Sequence, residues 1–229
     1  MTSVLARVCA VLVLSGIPSG QAAAQSEPMS VAIAPFRSVE LRNGGHAILR
    51  HGPTQRVTFL KGSPDDTRVT VARGGELVIE KGKSTSARRY ELEIEILTPE
   101  LDHVTVAHGG TIQSRGSFPR QAEIVVTVDN GGTIDVRSMS PGSVNASVLS
   151  GGRILVKPLT AMAARVVAGG NITYWGDARV TESIEHGGVI TRGDPTEADQ
   201  PLSEVSPATA PVPPANPLPS RKAHRYLWR

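Results

Sequence analysis

Val128-Asp129-Asn130-Gly131-Gly132-Thr133-Ile134 is one copy of a short phrase that this chain repeats. The phrase is a β-branched residue, any residue, a small or polar residue, two glycines, any residue and isoleucine. It occurs five times between residues 105 and 190, and successive first glycines are 22, 20, 18 and 18 residues apart. The glycine pairs are Gly109-Gly110, Gly131-Gly132, Gly151-Gly152, Gly169-Gly170 and Gly187-Gly188. Such a period is typical of a solenoid, in which each repeat packs on its neighbours.

Alignment of the copies on their first glycine produces columns of equivalent residues. Three positions before that glycine stand only valine and isoleucine, and three positions after it stand five isoleucines. Because neighbouring strand residues alternate between faces, these apolar columns are predicted to point inward. Each glycine pair is predicted to form a corner, since glycine adopts the positive φ that β-branched residues avoid. Stacked repeats would then pair as parallel strands about 4.8 Å apart. The pattern therefore predicts a parallel β-helix.

A strand-rich opening region precedes the repeats. Short segments within residues 29–100 alternate polar and apolar residues, which is the pattern of half-buried strands. They are 38–41, 56–60, 68–71, 77–79 and 90–96. Glycine pairs such as Gly44-Gly45 and Gly74-Gly75 separate some of them and are interpreted as turns. The fold class predicted for the chain is all-β.

The first 24 residues are predicted to be a signal peptide. Arg7 supplies a positive start, residues 8–17 form a short apolar segment, and Ala22-Ala23-Ala24 suits cleavage. Cys9 is the only cysteine and lies inside this segment. The exported chain is therefore expected to lack disulfides and cysteine metal ligands. The apolar segment is too short to span a bilayer, so no transmembrane segment is expected in the mature chain.

The composition changes sharply after Asp194. Eight prolines lie among Ala, Ser and Thr residues in 195–220, which predicts a disordered linker. A basic and aromatic tip, 221–229, follows it. Residues 25–194 carry 19 basic and 18 acidic side chains, so the basic balance of the chain lies mainly in the tip. The body shows no electrostatic signature of nucleic-acid binding.

The chain resembles the head GIN domain of putative auto-transporter adhesins over about residues 31–192. The most specific stretch is Gly169-Gly170-Asn171-Ile172-Thr173-Tyr174-Trp175-Gly176-Asp177, followed by Val180 and 183–190. Similar openings occur at Phe36–Val39 and Thr98–Leu101. Ala178 departs from the family pattern, in which proline is common at this position. The resemblance implies a right-handed β-helix in an exported domain, and it implies neither catalytic residues nor a cofactor.

Candidate chemistry in the repeats is sparse. His108 and His186 share a column but are four repeats apart, roughly 19 Å at strand spacing, whereas both ligands of one zinc ion lie about 2 Å from it. No adjacent repeats place carboxylates in register, so neither a calcium site nor a close acid pair is predicted. We therefore expect no catalytic residues and no metal.

One outward column suggests a binding surface. Six positions after each first glycine stand Arg115, Arg137, Lys157, Trp175 and Gly193. Three cations and an indole along one line would suit an anionic or mixed polysaccharide, with guanidinium groups binding carboxylates and the indole facing a sugar ring. The alternative is an ordinary solvated face.

The sequence thus predicts three parts: a signal peptide at 1–24, a head GIN-like β-helix domain at 25–194, and a disordered linker with a basic tip at 195–229. The favoured function is an exported, non-catalytic binding or adhesion module of a bacterial envelope, periplasmic or at the cell surface. One alternative is a structural envelope protein that packs on a protein partner. The other is a carbohydrate-active enzyme of the β-helix type.

Overall fold

The computed structural model describes residues 28–82 and 91–202. The predicted signal peptide and basic tip lie outside these residues. In the described part the fold is all-β, with seventeen strands and one short 3₁₀ turn, Pro195–Glu197. The strands are β1 Met29–Val31, β2 Ser38–Arg42, β3 His46–His51, β4 Arg56–Lys61, β5 Thr67–Ala72, β6 Glu76–Lys81, β7 Glu93–Thr98, β8 His103–Ala107, β9 Thr111–Arg115, β10 Glu123–Asp129, β11 Thr133–Asp135, β12 Ser143–Ser150, β13 Arg153–Val156, β14 Ala161–Ala168, β15 Asn171–Tyr174, β16 Arg179–Ile184 and β17 Val189–Arg192.

Two mixed sheets enclose the core. The nine-stranded sheet has the order β1-β4-β7-β3-β9-β11-β13-β15-β17, and the eight-stranded sheet has the order β16-β14-β12-β10-β8-β2-β6-β5. Pairing is antiparallel where β1, β4 and β7 meet and between β5 and β6, and parallel elsewhere. Each glycine-pair repeat contributes one strand to each sheet. Two such strands form what we call a layer.

The strand register reproduces the columns predicted from the repeats. Val128 pairs with Val106 and Val148, and Ile134 pairs with Ile112 and Ile154. All six side chains are fully buried. The core is therefore a stack of equivalent valines from one sheet facing equivalent isoleucines from the other.

The stack contains two layers that sequence reasoning did not assign to it. In the first, β2 and β3 extend the repeats, since Leu41 pairs with Val106 and Ala47 pairs with Ile112. The turn between them is Asn43-Gly44-Gly45, a variant of the same phrase with leucine and alanine in the apolar columns. In the second, β6 and β7 pair with β2 and β3 on the side away from β8 and β9. The repeats were expected to begin after residue 100, but the stack of layers already includes strands that precede this residue.

The corner glycines have the backbone conformation that the phrase predicts. All ten have positive φ, including Gly131 at 84° and Gly132 at 102°. The two members of a pair differ in their surroundings. A Cβ on Gly131 would meet nothing within 4 Å, whereas one on Gly132 would lie 2.5 Å from Val106 Cγ1 and 2.8 Å from the Gly110 carbonyl oxygen. The second glycine of the pair is thus required by close stacking as well as by φ.

The last layer, β16 and β17, has one open side in the described part of the chain. Ile184 occupies the column of fully buried valines but is 47% exposed. Glu182 occupies the column of Ala146 and Ala164, so the inward position of the final layer carries a charge. Inward-pointing charges at a sheet edge disfavour further strand pairing. Residues 28–82 and 91–202 contain no helix with the length and hydropathy needed to cross a bilayer.

Candidate binding groove on the nine-stranded sheet

The outward column of cations lies on the outer face of the nine-stranded sheet. The flanking register places its members in line, because Asp135 pairs with Leu155 and Val156 pairs with Tyr174. Arg137, Lys157 and Trp175 follow these paired positions along the chain. The sequence therefore aligns these side chains correctly along the stack.

A C-terminal segment covers part of this column. Residues 194–202, which we call the strap, leave the last layer and run back across the outer face of the sheet. Asp194 begins the 3₁₀ turn, and its carboxylate accepts hydrogen bonds from the Thr196 backbone N–H at 2.8 Å and hydroxyl at 2.6 Å. Farther along, Pro201 and Leu202 line a groove with His46, Thr111, Gln113 and Arg115. The strap thus reaches from the last layer to the level of β9 and β3.

Arg137 fastens the strap to the sheet. Its guanidinium is bidentate to Asp135, with Nε–Oδ1 at 2.9 Å and Nη2–Oδ2 at 2.7 Å. The remaining N–H groups donate to strap carbonyl oxygens, those of Glu197 at 2.8 Å, Ala198 at 3.3 Å and Gln200 at 2.9 Å. Arg137 is 7% exposed and Asp135 is 3% exposed. A buried ion pair is favourable only with such complete hydrogen bonding, since both charges have lost their water.

Trp175 forms the apolar part of the contact. Its indole Nε1–H donates to the Asp194 carbonyl oxygen at 2.8 Å. The ring packs with Leu155, Ala198 and Leu202 in a small cluster separate from the main core. Leu155 and Trp175 both occupy outward positions, yet neither is more than 2% exposed. The strap therefore covers part of the outer face of the sheet.

The predicted exposure of the column is consequently wrong for two of its members. Arg137 and Trp175 are buried beneath the strap. The other two are accessible: the Arg115 side chain contacts Gln113 at the surface, and the Lys157 side chain is 35% exposed and 3.5 Å from Asp199. The outer face thus presents two accessible cations beside a covered Arg–Trp pair.

The strap also changes the predicted domain limit. Residues 195–202 were assigned to a disordered linker, but Ala198 is buried and three strap carbonyls bind Arg137. The folded part therefore continues past Asp194. Residues 203–229 lie outside the described residues, and for them the linker assignment remains a prediction.

Arg153 is a fourth cation of this face that sequence reasoning did not select. It pairs with Thr133 and Asn171 in the register of the sheet and is half-buried. Burial lowers the pKa of its guanidinium, and the positive charge of Arg137 lowers it further, while Asp135 and Glu197 oppose both effects. Arg153 and Arg137 are thus close enough for their positive charges to interact. The sequence did contain an indication of this fourth cation, because Arg153 stands four positions before Lys157 in the same repeat.

The strap has the opposite charge. Its sequence, Asp194-Pro195-Thr196-Glu197-Ala198-Asp199-Gln200-Pro201-Leu202, contains three carboxylates and no cation. On the outer face of β9, β11, β13, β15 and β17, Asp135 is the only acidic side chain. An acidic segment therefore lies on a basic surface. In retrospect, the adjacent outward residues Leu155 and Trp175 also indicated that something covers this face.

The described residues contain no group of three or more His, Asp or Glu side chains arranged to hold a metal ion. Asp177 forms an ion pair with Arg192. Asp194 caps the 3₁₀ turn, and this hydrogen bonding to Thr196 lowers the pKa of its carboxyl group. The carboxylate of Asp194 is thus engaged by the strap itself.

These observations define an all-β repeat domain with a basic outer face and an acidic strap, and part of it matches the sequence model of a known family. Residues 35–137 match the sequence model of the family described as putative auto-transporter adhesin, head GIN domain. This match confirms the resemblance seen in the sequence. The match ends at Arg137 and so does not include the stretch 169–190 that first suggested it.

Solved structures of low sequence identity align with most of the described chain. A putative adhesin from Bacteroides fragilis is 16% identical with a TM-score of 0.42, over 72% of this chain and 95% of its own. A putative cell adhesion protein from Clostridium sporogenes is 11% identical with a TM-score of 0.37, over 72% and 99%. A putative lipid binding protein from Parabacteroides distasonis is 17% identical with a TM-score of 0.28, over 73% and 96%. No curated protein matches the chain.

Proposed function

We propose that this protein is an exported, non-catalytic adhesion module of a bacterial envelope whose layers form a right-handed parallel β-helix. The family match over residues 35–137 is the observation that carries the adhesion role. Export is the prediction made from residues 1–24, and it agrees with a family named for adhesins. The final location is periplasmic or at the cell surface.

We propose an anionic polysaccharide as the ligand class. Along β9, β11, β13 and β15 and the residues that follow them, the outer face carries Arg115, Arg137, Arg153 and Lys157 against the single carboxylate of Asp135. Successive layers present these cations along the stack axis, where a polymer with repeating charges can meet repeating side chains. Each contact is weak and screened by salt, so binding depends on several contacts at once. Arg115 and Lys157 are the accessible members and the first that a ligand would meet.

Retention on immobilised polygalacturonate at low salt tests this proposal. The variant Arg115→Glu/Lys157→Glu should lose retention while keeping the circular dichroism of the wild type. The control Arg165→Glu/Arg179→Glu reverses two charges on the outer face of the other sheet and should be retained like the wild type. Equal behaviour of both variants would contradict a ligand site on the nine-stranded sheet.

The same column experiment addresses the alternative functions. Release of shortened products or new reducing ends would indicate a carbohydrate-active enzyme. A wild-type chain that is not retained by acidic or neutral glycans, but crosslinks to one envelope protein, would favour the structural role.

A further inference from the structure

The strap occupies the surface on which the proposed ligand would bind. Two of the four predicted ligand-binding residues, Arg137 and Trp175, are buried because residues 194–202 lie on them. Arg137 binds carbonyl oxygens of the strap, and Trp175 packs against Ala198 and Leu202. A cation bound to oxygen and an indole packed against apolar groups are the contacts expected for a sugar acid, which offers carboxylate oxygens and an apolar ring face.

The strap resembles the proposed ligand in charge. It contributes Asp194, Glu197 and Asp199, and the last of these lies 3.5 Å from Lys157. If the strap were lifted, its carboxylates would leave, and Asp135 would be the one carboxylate left on β9, β11, β13, β15 and β17 to oppose the four cations. The open groove is therefore a better site for a linear polyanion than the covered one.

The strap is also weakly attached compared with the sheets. Of its side chains only Ala198 is buried, and no strand pairing connects it to either sheet. Its attachment depends on Arg137, the Trp175 N–H and the small cluster with Leu202. Segments with few buried apolar contacts open at much lower free energy than the core.

We infer that the strap is an internal, displaceable pseudo-ligand that keeps the groove closed, and that an acidic polysaccharide with regularly spaced carboxylates opens it. This inference rests on the proposed function, because it concerns the same groove. The apparent affinity of a partly closed site falls in proportion to the fraction of open molecules. A change that opens the strap ten times more often should therefore tighten apparent binding about tenfold.

Trp175 provides a direct signal of strap opening. The chain has two tryptophans, so the full-length Trp228→Phe variant leaves Trp175 as the only one. In the closed form its fluorescence should resist quenching by acrylamide, since the side chain is 2% exposed. In this background Leu202→Asp places a carboxylate in the apolar cluster and should loosen the strap. Leu159→Asp is the matched control, because Leu159 is already 44% exposed.

The experiment measures quenching and polygalacturonate binding on the same samples. We expect Leu202→Asp to raise the quenching of Trp175 and to tighten binding about tenfold, with the control unchanged. Adding polygalacturonate to the Trp228→Phe chain should itself change the quenching, because the polymer replaces the strap.

Other outcomes separate the two proposals. If the polymer binds through Arg115 and Lys157 without altering Trp175 quenching, the strap is a permanent layer, and the inference is wrong while the proposed function stands. The same conclusion follows if Leu202→Asp exposes Trp175 without tightening binding. If the polymer binds neither to the Trp228→Phe chain nor to the same chain with Leu202→Asp, the proposed ligand class is wrong, and the inference is wrong with it.

Discussion

The guanidinium carbon of Arg137 lies 5.1 Å from the centre of the Trp175 ring, although the two residues belong to repeats separated by another layer. The two side chains therefore bridge the intervening layer on the outer face of the sheet. A cation over an indole face is favourable, and more so when water is excluded. The contact connects Asp135, Arg137, Trp175 and the strap into one buried polar group.

Replacing Arg137 should destabilise the domain more than replacing an exposed arginine. Arg137→Gln removes the partner of the buried Asp135 carboxylate and leaves strap carbonyls without donors. We expect a loss of about 3 kcal/mol in the free energy of unfolding, measured by urea denaturation followed by circular dichroism. Arg115→Gln is the control and should change stability by no more than about 0.5 kcal/mol. Similar losses in both variants would mean that the Arg137 network contributes nothing beyond an exposed charge.

The two glycines of one corner should tolerate alanine unequally. Gly131→Ala is strained only by its positive φ, which costs about 1–2 kcal/mol. Gly132→Ala adds a steric clash, because its Cβ would lie 2.5 Å from Val106 Cγ1. We therefore expect Gly132→Ala to lower the melting temperature more. A β-branched residue should be worse still, so Gly131→Val is expected to cost a few kcal/mol. A larger effect at Gly131 than at Gly132 for the same substitution would show that close stacking does not govern this corner.

Two truncations should distinguish the strap from the residues that follow it. A chain that stops after Leu202 should keep the melting temperature of the full chain, because the predicted linker has little apolar content to bury. A chain that stops after Asp194 loses the cover of Leu155 and Trp175, and its melting temperature should fall by several degrees. Differential scanning calorimetry checks both. Equal melting temperatures for the two truncations would show that the strap adds no stability.

Removing the inward charge of the last layer should promote self-association. Glu182→Ala restores the residue found at Ala146 and Ala164 in the same column, and it leaves Ile184 exposed beside an apolar edge. Sheet edges without such charges pair readily with other edges. Sedimentation velocity over a concentration series should show association of Glu182→Ala. The control Glu185→Ala lies on the outer face and should sediment like the wild type. Identical sedimentation of all three proteins would contradict a guarding role for Glu182.

Much of the stack could be predicted because its pattern repeats locally. Val106, Val128 and Val148 were aligned by their distance from a glycine pair, and the strands align them in the same way. The layer of β2 and β3 was not predicted, because its copy of the phrase has Leu41 and Ala47 in place of a β-branched residue and isoleucine. The phrase alone also leaves an ambiguity. Arg73-Gly74-Gly75 resembles it, yet there the chain turns back as an antiparallel hairpin between β5 and β6.

The exposure of the binding face could not be predicted from residues within one repeat. The sequence placed Arg115, Arg137, Lys157 and Trp175 in one column, but it could not show that a later segment returns to cover Arg137 and Trp175. A proline-rich composition indicates little capacity to form a core, but a short strap needs only a few contacts. Three hydrogen bonds from Arg137 to strap carbonyl oxygens, one indole N–H and one small apolar cluster hold it.

The sequence by itself determined the all-β class, the glycine corners and the inward columns, because each depends on residues within one repeat and on a regular spacing between repeats. Only the tertiary structure decided that β6 and β7 stack outside β2 and β3, and that residues 194–202 close over the cationic face. Both arrangements join residues far apart in the chain, and their stability comes from burial and hydrogen bonds that exist only once the layers have assembled. The spacing of residues along the chain does not reveal such contacts.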